Sequence, residues 1–429
     1  MMAAGTECTD KNAGDIWQEG ISCRLCFRTR AAAARRFFTS GYSEMGITHP
    51  NLCRSVTNLI GGRRRLEICV APARKRSGMG ISMKNTKKKV IGYVGTKDLD
   101  GMREDDVRVL DVINIAFGGI KDNAIIWECP GAGEAMERLR RLNPGLKILL
   151  SVGGWSADGF SQAASSQRGR EIFAESAVEL MQRYHLDGID IDWEYPGMSL
   201  AGIASSRNDG ENFILLLEEL RSKMKAQDAE SMLTIAAGGD SYFTNQTDMK
   251  KAAAYLDYVQ LMTYDLQGGF QKVTGHHSAV YFSKNNLFDA CVDKCVRCFV
   301  QAGVPAEKLI VGIPFYSRIW NGVKTIESCE NNGLGMEAES VGGYGPDYGN
   351  LLTQMLGRNG YVRYWDEDAK ACYLFNGDSF VSYEDEESIE AKIAYVKENK
   401  LGGVMFWEYK CDTTHTLIKF IGKELKGEI

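Results

Sequence analysis

The sequence predicts an α/β fold, a (β/α)8 TIM barrel with a small α+β insertion between strands 7 and 8. Three observations lead to this prediction. Short apolar runs alternate with segments of helical spacing, the runs number eight, and the interval before the last run is too long for a simple connection. The chain has 429 residues, 44% of them hydrophobic and 25% charged, so it can bury a core of this size.

The eight predicted strands begin at residue 90 and are rich in apolar residues. They cover residues 90–94, 112–117, 147–152, 188–194, 233–237, 258–262, 309–313 and 403–406. The segments between them place apolar residues on one helical face, for example Phe173, Ala177, Leu180 and Tyr184. A barrel of this kind carries its chemistry at the C-terminal ends of its strands, so we expect the functional residues there.

The interval from residue 320 to about residue 380 predicts a separate small domain. It contains two aromatic segments that look like strands, at 361–365 and 371–375. We therefore assign residues 86–320 and 378–429 to the barrel and residues 321–377 to the insertion.

Residues 1–85 are predicted to be a basic N-terminal extension, disordered or non-native. The first 82 residues hold 13 Lys and Arg against 6 Asp and Glu, a charge of +7 that leaves −12 for the rest. They show no repeating apolar face. Met83 is a candidate for the start of the native protein, and we expect a chain beginning there to fold and keep full activity. The alternative is a targeting peptide, because the arginine run at 63–65 resembles organellar presequences.

Charge and hydropathy limit the classes of partner. No apolar run approaches the ~20 residues that a transmembrane helix needs, and no segment reads as a secretory signal. We expect a cytoplasmic monomer that binds neither membrane nor nucleic acid, with secretion by a non-classical route as the alternative. An acidic body suits a neutral ligand such as a glycan.

The twelve cysteines do not form a disulfide or metal pattern. Cys23 and Cys26 lack a second paired motif, so free thiols are favoured over zinc. Cys291, Cys295 and Cys298 have the spacing of a cluster-binding motif, but the same spacing defines one face of a helix, which we favour. We expect neither a metal nor a cofactor.

The most informative segment is the octapeptide DGIDIDWE at residues 187–194. In a β-strand, Asp190, Asp192 and Glu194 share one face, and the other face is apolar. Carboxylates spaced by roughly 6.6 Å disfavour joint ionisation and raise at least one pKa. An acidic face that faces solvent would explain the pattern without a function, but the bulky apolar face indicates a buried strand and a functional site.

This octapeptide resembles the DxxDxDxE signature of family 18 glycoside hydrolases, the chitinase family. The resemblance implies that Glu194 is the general acid and that the N-acetyl group of the substrate is the nucleophile, so that hydrolysis retains configuration. Asp192 would orient the acetamido N–H, and Asp190 would tune Asp192. Asp187 lies on the opposite strand face, which fits a structural role.

Four further segments resemble family motifs at the ends of other strands: SVGGW at 151–155, QLMTYD at 260–265, GIPFYSR at 312–318 and LGGVMFW at 401–407. Alone, each also fits a glycine turn, a helix cap or core packing. The resemblance implies that Tyr264 is catalytic, and that the following residues bind substrate: Tyr93, Phe117, Ser151, Gly154, Trp155, Met262, Asp265, Arg318 and Trp407. Trp320 and Trp365 are weaker candidates for binding sugar, because core packing explains them as well.

These expectations favour an enzyme that hydrolyses β-1,4-linked N-acetylglucosamine in chitin or chitooligosaccharides. Within the same family, an endo-β-N-acetylglucosaminidase or a peptidoglycan hydrolase is the alternative. A non-catalytic chitin-binding lectin is the alternative from another class, but such a protein would lack the acid, and Glu194 is present.

Overall fold

Each of the eight predicted apolar runs forms a β-strand. The structure is a computed structural model that describes residues 87–324 and 332–427, so the predictions for residues 1–85, including Cys23 and Cys26, lie outside the described residues. The strands are β1 (Lys89–Gly95), β2 (Val112–Lys121), β3 (Ala124–Ile126), β4 (Lys147–Gly153), β5 (Gly188–Asp192), β6 (Met232–Gly238), β7 (Tyr258–Met262), β8 (Leu309–Pro314), β9 (Tyr316–Trp320), β10 (Gly343–Asp347), β11 (Val362–Asp366), β12 (Ala371–Phe375), β13 (Phe380–Ser382) and β14 (Gly403–Trp407).

Eight of these strands form a closed parallel barrel, which confirms the predicted fold class. The order around the barrel is β1, β2, β4, β5, β6, β7, β8 and β14, and β14 pairs with β1 to close it. The short strand β3 adds to β2 in antiparallel orientation. Because all eight strands run in one direction, their C-terminal ends meet at one face of the barrel.

Helices surround the barrel, except for the short helix at residues 348–354, which belongs to the insertion. They are α1 (Glu104–Val109), α2 (Ala132–Leu142), α3 (Phe160–Ala164), α4 (Gln167–Tyr184), α5 (Asp209–Gln227), α6 (Ser241–Gln246), α7 (Met249–Tyr255), α8 (Val292–Gln301), α9 (Tyr348–Gln354), α10 (Glu386–Glu398) and α11 (Thr416–Lys426). Ser166 caps α4, and Asp385 with Ser388 forms a capping box on α10. On α4, Phe173, Ala177 and Leu180 are buried, as their spacing predicts.

The core of the barrel has two main parts. The larger part lies between the strands and the helices, and it contains the outward-facing apolar residues of the barrel, such as Ile189 and Ile191. The smaller part fills the lumen with residues such as Ile91, Leu149 and Met405. Polar side chains are buried as well, and they become important at the site.

The insertion is a five-stranded antiparallel sheet in the order β10, β9, β13, β12 and β11, accompanied by α9. The sheet extends over residues 316–382, and therefore begins before and ends after the predicted bounds of 321–377. The extra residues belong to it because β9 follows β8 directly and pairs with both β10 and β13. Trp320 is fully buried in the core of this sheet, so core packing is its role.

The cysteine segment forms the helix that its spacing predicts: Cys291 is the N-cap of α8, and Cys295 and Cys298 lie on it. All three are free cysteines. Within the described ranges, no helix is both long and apolar enough to cross a bilayer.

Candidate active site

A groove lies at the C-terminal ends of the barrel strands and has a volume of about 660 Å³. Its polar lining includes Asp192, Glu194, Asp240, Asp265 and Arg318. Its aromatic lining includes Tyr93, Phe117, Trp155, Tyr195, Tyr242, Phe243, Tyr264, Phe270, Tyr316, Tyr344 and Trp407. A groove with acidic groups at its base and aromatic rings around them suits a neutral ligand with apolar faces.

The carboxylates of the octapeptide are placed by β5 and by the turn after it. The strand ends at Asp192, so Glu194 lies just beyond it, at the edge of the groove. Trp193 points the opposite way and is buried, stacked on Phe160 with ring centroids 5.3 Å apart and in edge contact with Phe213 at 5.4 Å. This anchor behind the barrel directs Glu194 into the groove.

Asp190 lies at the bottom of the site, fully buried. Its Oδ2 accepts hydrogen bonds from the hydroxyls of Tyr93 at 2.9 Å and Ser151 at 2.8 Å. Its Oδ1 accepts from Thr234 Oγ1 at 2.6 Å and from Gln260 Nε2 at 2.8 Å. Burial raises the pKa of Asp190, and these four hydrogen bonds oppose that shift.

Asp192 and Glu194 lie above Asp190 and both resist ionisation. Burial raises the pKa of Asp192 well above its usual range, and the charges of Glu194 and Asp190 add to the shift. Burial also raises the pKa of Glu194 to about 7, and Asp265 contributes further. A glutamic acid that keeps its proton near neutral pH can act as a general acid.

Two glycines after β4 bring the backbone of the SVGGW segment against β5. Gly153 and Gly154 have φ of +121° and +92°, and a Cβ on Gly153 would lie 2.0 Å from the carbonyl oxygen of Asp192. The N–H of Gly154 donates to that carbonyl at 2.9 Å. Gly153 is therefore required by close backbone approach, and Gly154 by its positive φ and by the ring of Phe117, which lies 2.7 Å from where its Cβ would be.

The floor of the groove is aromatic. Trp407, at the end of β14, stacks on Phe117 with ring centroids 5.4 Å apart and planes 20° apart. Tyr93 contacts the same indole at 5.5 Å. Such a surface can bind the apolar face of a sugar ring.

The opposite wall contains Tyr264, Asp265 and Arg318. Burial raises the pKa of the Tyr264 hydroxyl well above its usual range, so it remains a donor. Asp265 pairs with Arg318 through two contacts of 2.7 and 2.6 Å. Burial favours a protonated Asp265, but His277, whose Nδ1 is 3.6 Å away, and Arg318 outweigh burial and lower its pKa. The guanidinium also lies over the ring of Tyr344 at 4.0 Å.

Comparison with known proteins identifies the family. Residues 89–412 match Glycosyl hydrolases family 18. The chain belongs to this family. A solved structure described as a family 18 N-acetylglucosaminidase from Paenibacillus barengoltzii is similar, with a TM-score of 0.76 and 48% identity, covering 79% of this chain and 100% of that one.

Two relatives in this glycoside hydrolase family are called chitinases. Chitinase A1 of Niallia circulans is 37% identical over 68% of this chain and 44% of its own length. Chitinase B of Serratia marcescens is 30% identical over 75% of this chain and 81% of its own length. The chain thus spans less than half of the first relative and about four fifths of the second.

The structure brings most of the residues predicted for the glycosidase site into one place. Asp190, Ser151 and Gly154 are buried beneath the groove, whereas the following residues line it: Tyr93, Phe117, Trp155, Asp192, Glu194, Met262, Tyr264, Asp265, Arg318 and Trp407. Trp155 is half exposed at the rim, at 52%. Trp365, the weaker candidate, is not among the lining residues, and its indole N–H donates to Glu367.

Asp187 lies away from the groove, at the other end of β5. Its carboxylate contacts Arg140 at 2.9 Å and Lys147 at 3.0 Å, and it accepts the backbone N–H of Ile148 at 2.9 Å. These contacts hold β5 against its neighbours. They agree with the prediction that Asp187 lies on the strand face opposite to Asp190 and Asp192.

Several residues of the site were not predicted from the sequence. Gln260 belongs to a recognised segment, but nothing in that segment indicated that its amide would reach Asp190. Thr234 and Asn114 carried no signal, because a lone polar residue in an apolar run has no recognisable local pattern, and His277 lies in a polar segment outside the recognised motifs. Tyr316 belongs to the GIPFYSR segment and could have been found there.

Proposed function

We propose that this chain hydrolyses β-1,4-linked N-acetylglucosamine in chitin or chitooligosaccharides, by a retaining mechanism in which the substrate supplies the nucleophile. The observation that carries the proposal is the position of Glu194 at the edge of the groove, where burial raises its pKa to about 7 and where Asp190 and Asp265 are held by other partners. The names of the two chitinase relatives support the choice of substrate.

Glu194 donates its proton to the glycosidic oxygen as the bond from that oxygen to the anomeric carbon breaks. The raised pKa of about 7 keeps the proton available near neutral pH. The resulting carboxylate then accepts a proton from the water that attacks in the second step.

The nucleophile is the carbonyl oxygen of the 2-acetamido group, which bonds to the anomeric carbon and forms an oxazolinium ion. Two features support this step over attack by the protein. Asp190 is fully buried and accepts four hydrogen bonds, and Asp265 is held by Arg318. Asp192 accepts the acetamido N–H and stabilises the positive charge that develops.

The walls of the groove orient the sugar. Trp407 and Phe117 provide a flat apolar floor, and the Tyr264 hydroxyl remains a hydrogen-bond donor for the acetamido oxygen. Attack by the acetamido group and then by water inverts the anomeric carbon twice, so the product retains its configuration.

A second candidate is release of single N-acetylglucosamine units. It is favoured by the similar structure that is described as an N-acetylglucosaminidase, all of which is covered by this chain at 48% identity. The same acid and the same acetamido chemistry would serve both activities, and the length of the product distinguishes them.

The test is product analysis on chitotetraose beside a glycoprotein with intact N-glycans and a peptidoglycan preparation. We expect soluble products from chitotetraose, initially in the β-configuration by NMR, and none from the Glu194→Gln variant. Monosaccharide alone supports the second candidate. Cleavage of the glycoprotein or peptidoglycan alone, or binding of chitotetraose without cleavage, would contradict the proposal.

A further inference from the structure

Two buried amides lie behind the carboxylates, and the proposed reaction gives them no part. Gln260 on β7 and Asn114 on β2 are both fully buried. Asn114 Nδ2 donates to Gln260 Oε1 at 2.9 Å, and Gln260 Nε2 donates to Asp190 Oδ1 at 2.8 Å. The two amides therefore form a chain that ends on Asp190.

The other three partners of Asp190 are hydroxyls, those of Tyr93, Ser151 and Thr234. A hydroxyl can donate to an ionised carboxylate or accept from a protonated carboxylic acid. These three groups are therefore compatible with either form of Asp190. An amide N–H can only donate, and such a donor favours the ionised form, because a carboxylate is the stronger acceptor.

The orientation of the amide pair matters for the charge of Asp190. In the structure, Gln260 turns its N–H toward Asp190 and accepts from Asn114 with its own oxygen. Among the described residues, Asn114 Oδ1 has no hydrogen-bond partner although it is buried, and reversing both amides would leave Asn114 Nδ2 unpaired in its place. The reversed pair would also place Gln260 Oε1 against Asp190, and two acceptors at 2.8 Å would repel one another unless Asp190 were protonated. The observed orientation therefore favours an ionised Asp190.

We propose that Asn114 and Gln260 are positioning residues that keep Asp190 ionised, as a fixed negative charge behind Asp192. This inference rests on the proposed function for its catalytic consequence. A fixed negative charge at this depth favours the oxazolinium ion, because the site is shielded from water.

The test follows Asp190 itself, by ¹³C NMR of protein labelled at the aspartate carboxyl carbons, with Asp190→Asn to assign its resonance. In the unaltered protein we expect Asp190 to be ionised at pH 7. Gln260→Met removes the donor and keeps the volume, and it should raise the midpoint of the Asp190 titration by about one pH unit, a tenfold change.

Two further variants separate the amide chain from general damage. Asn114→Leu leaves Gln260 in place but free to turn, so it should shift the midpoint in the same direction by less, and it carries the test if Gln260→Met does not fold. The double variant should match Gln260→Met alone. The control is Asn143→Leu, which removes an amide that donates to the carbonyls of Val107 and Leu110 away from the site; it should leave the midpoint unchanged.

Kinetics supply the second arm. In Gln260→Met, the acid limb of the pH profile of kcat should move upward with the NMR midpoint, while KM stays within about twofold. A protonated Asp190 at pH 7 in the unaltered protein, or an unchanged midpoint in both variants, would overturn the inference. If the unaltered protein cleaves no N-acetylglucosamine polymer, the proposed function fails and the NMR titration still decides the state of Asp190.

Discussion

The barrel lumen and the junction between β13 and α10 both bury carboxylates, but only the junction provides a cation for its carboxylate. Glu384, 3% exposed, pairs with the fully buried Lys392, which also donates to the carbonyl of Ser278 at 2.6 Å. In the lumen, Asp192 has Glu194 and Asp190 as charged neighbours, and Asp265 adds to the rise in the pKa of Glu194. Burial by itself therefore does not identify a functional carboxylate. Like-charged neighbours beside a buried carboxylate are more informative, because that arrangement is costly to the fold.

Of the variants that compare the lumen with the junction, Glu194→Gln should have the largest effect. The amide keeps the shape of the side chain but has no acid proton, so hydrolysis of chitotetraose should fall by ~10²- to 10⁴-fold while oligosaccharide binding is nearly unchanged. Steady-state kinetics and calorimetric titration measure the two quantities. Residual activity within a few-fold of the parent would show that Glu194 is not the acid.

At the junction between β13 and α10, the expected effect is on stability. Lys392→Met leaves Glu384 buried without its cation, so the free energy of unfolding should fall by about 3 kcal/mol. Denaturant titration measures this loss. Glu384→Gln with Lys392→Met should recover part of the stability, because neither charge remains. A single variant as stable as the parent would show that the pair is not a structural counterpart to the lumen carboxylates.

Within the lumen, the two aspartates should differ in their effects. Asp192→Asn should lower kcat by about 10²-fold, since it cannot develop the charge that stabilises the oxazolinium ion, and Asp190→Asn should lower it less. A thiazoline analogue of N-acetylglucosamine should inhibit competitively. Equal and small effects from both variants would contradict participation of the acetamido group.

The pH dependence of stability provides a finer test. The folded pKa of Glu194, about 7, lies above its ordinary value, so its contribution to stability is complete at low pH and is lost as the pH rises through about 7. Glu194→Gln removes this dependence, so the variant should gain on the order of 2 kcal/mol over the parent at pH 8 relative to pH 4. Thermal unfolding at both pH values checks it. In the parent, kcat should fall above pH 7 for the same reason, and parallel stability curves would contradict this assignment.

The smallest effect is expected from Asp187→Asn. Asp187 belongs to the same octapeptide, but it is partly exposed and lies between Arg140 and Lys147. Loss of the charge should lower stability by about 1 kcal/mol and leave kcat within a few-fold. A variant that is stable and inactive would mean that Asp187 acts on the chemistry and that the division within the octapeptide is wrong.

The elements with a strong local period could be predicted. The eight apolar runs became eight strands, and strict alternation placed Asp190 and Asp192 on the inner face and Trp193 on the outer face. The cysteine spacing became α8. The bounds of the insertion were less predictable, because β9 and β13 are defined by pairing with each other and not by a period of their own.

The sequence by itself determined which carboxylates face inward, because side-chain direction in a strand depends only on position along it. Tertiary structure alone decided what those carboxylates meet. Asp190 is contacted by residues that lie on β1, β4, β6 and β7, up to 97 positions away in the chain. Glu384, by contrast, meets Lys392 only eight positions along the chain, and tertiary structure adds the burial of that pair. The pKa of a buried acid depends on neighbours that closure of the barrel brings together, and no local pattern in the chain specifies that arrangement.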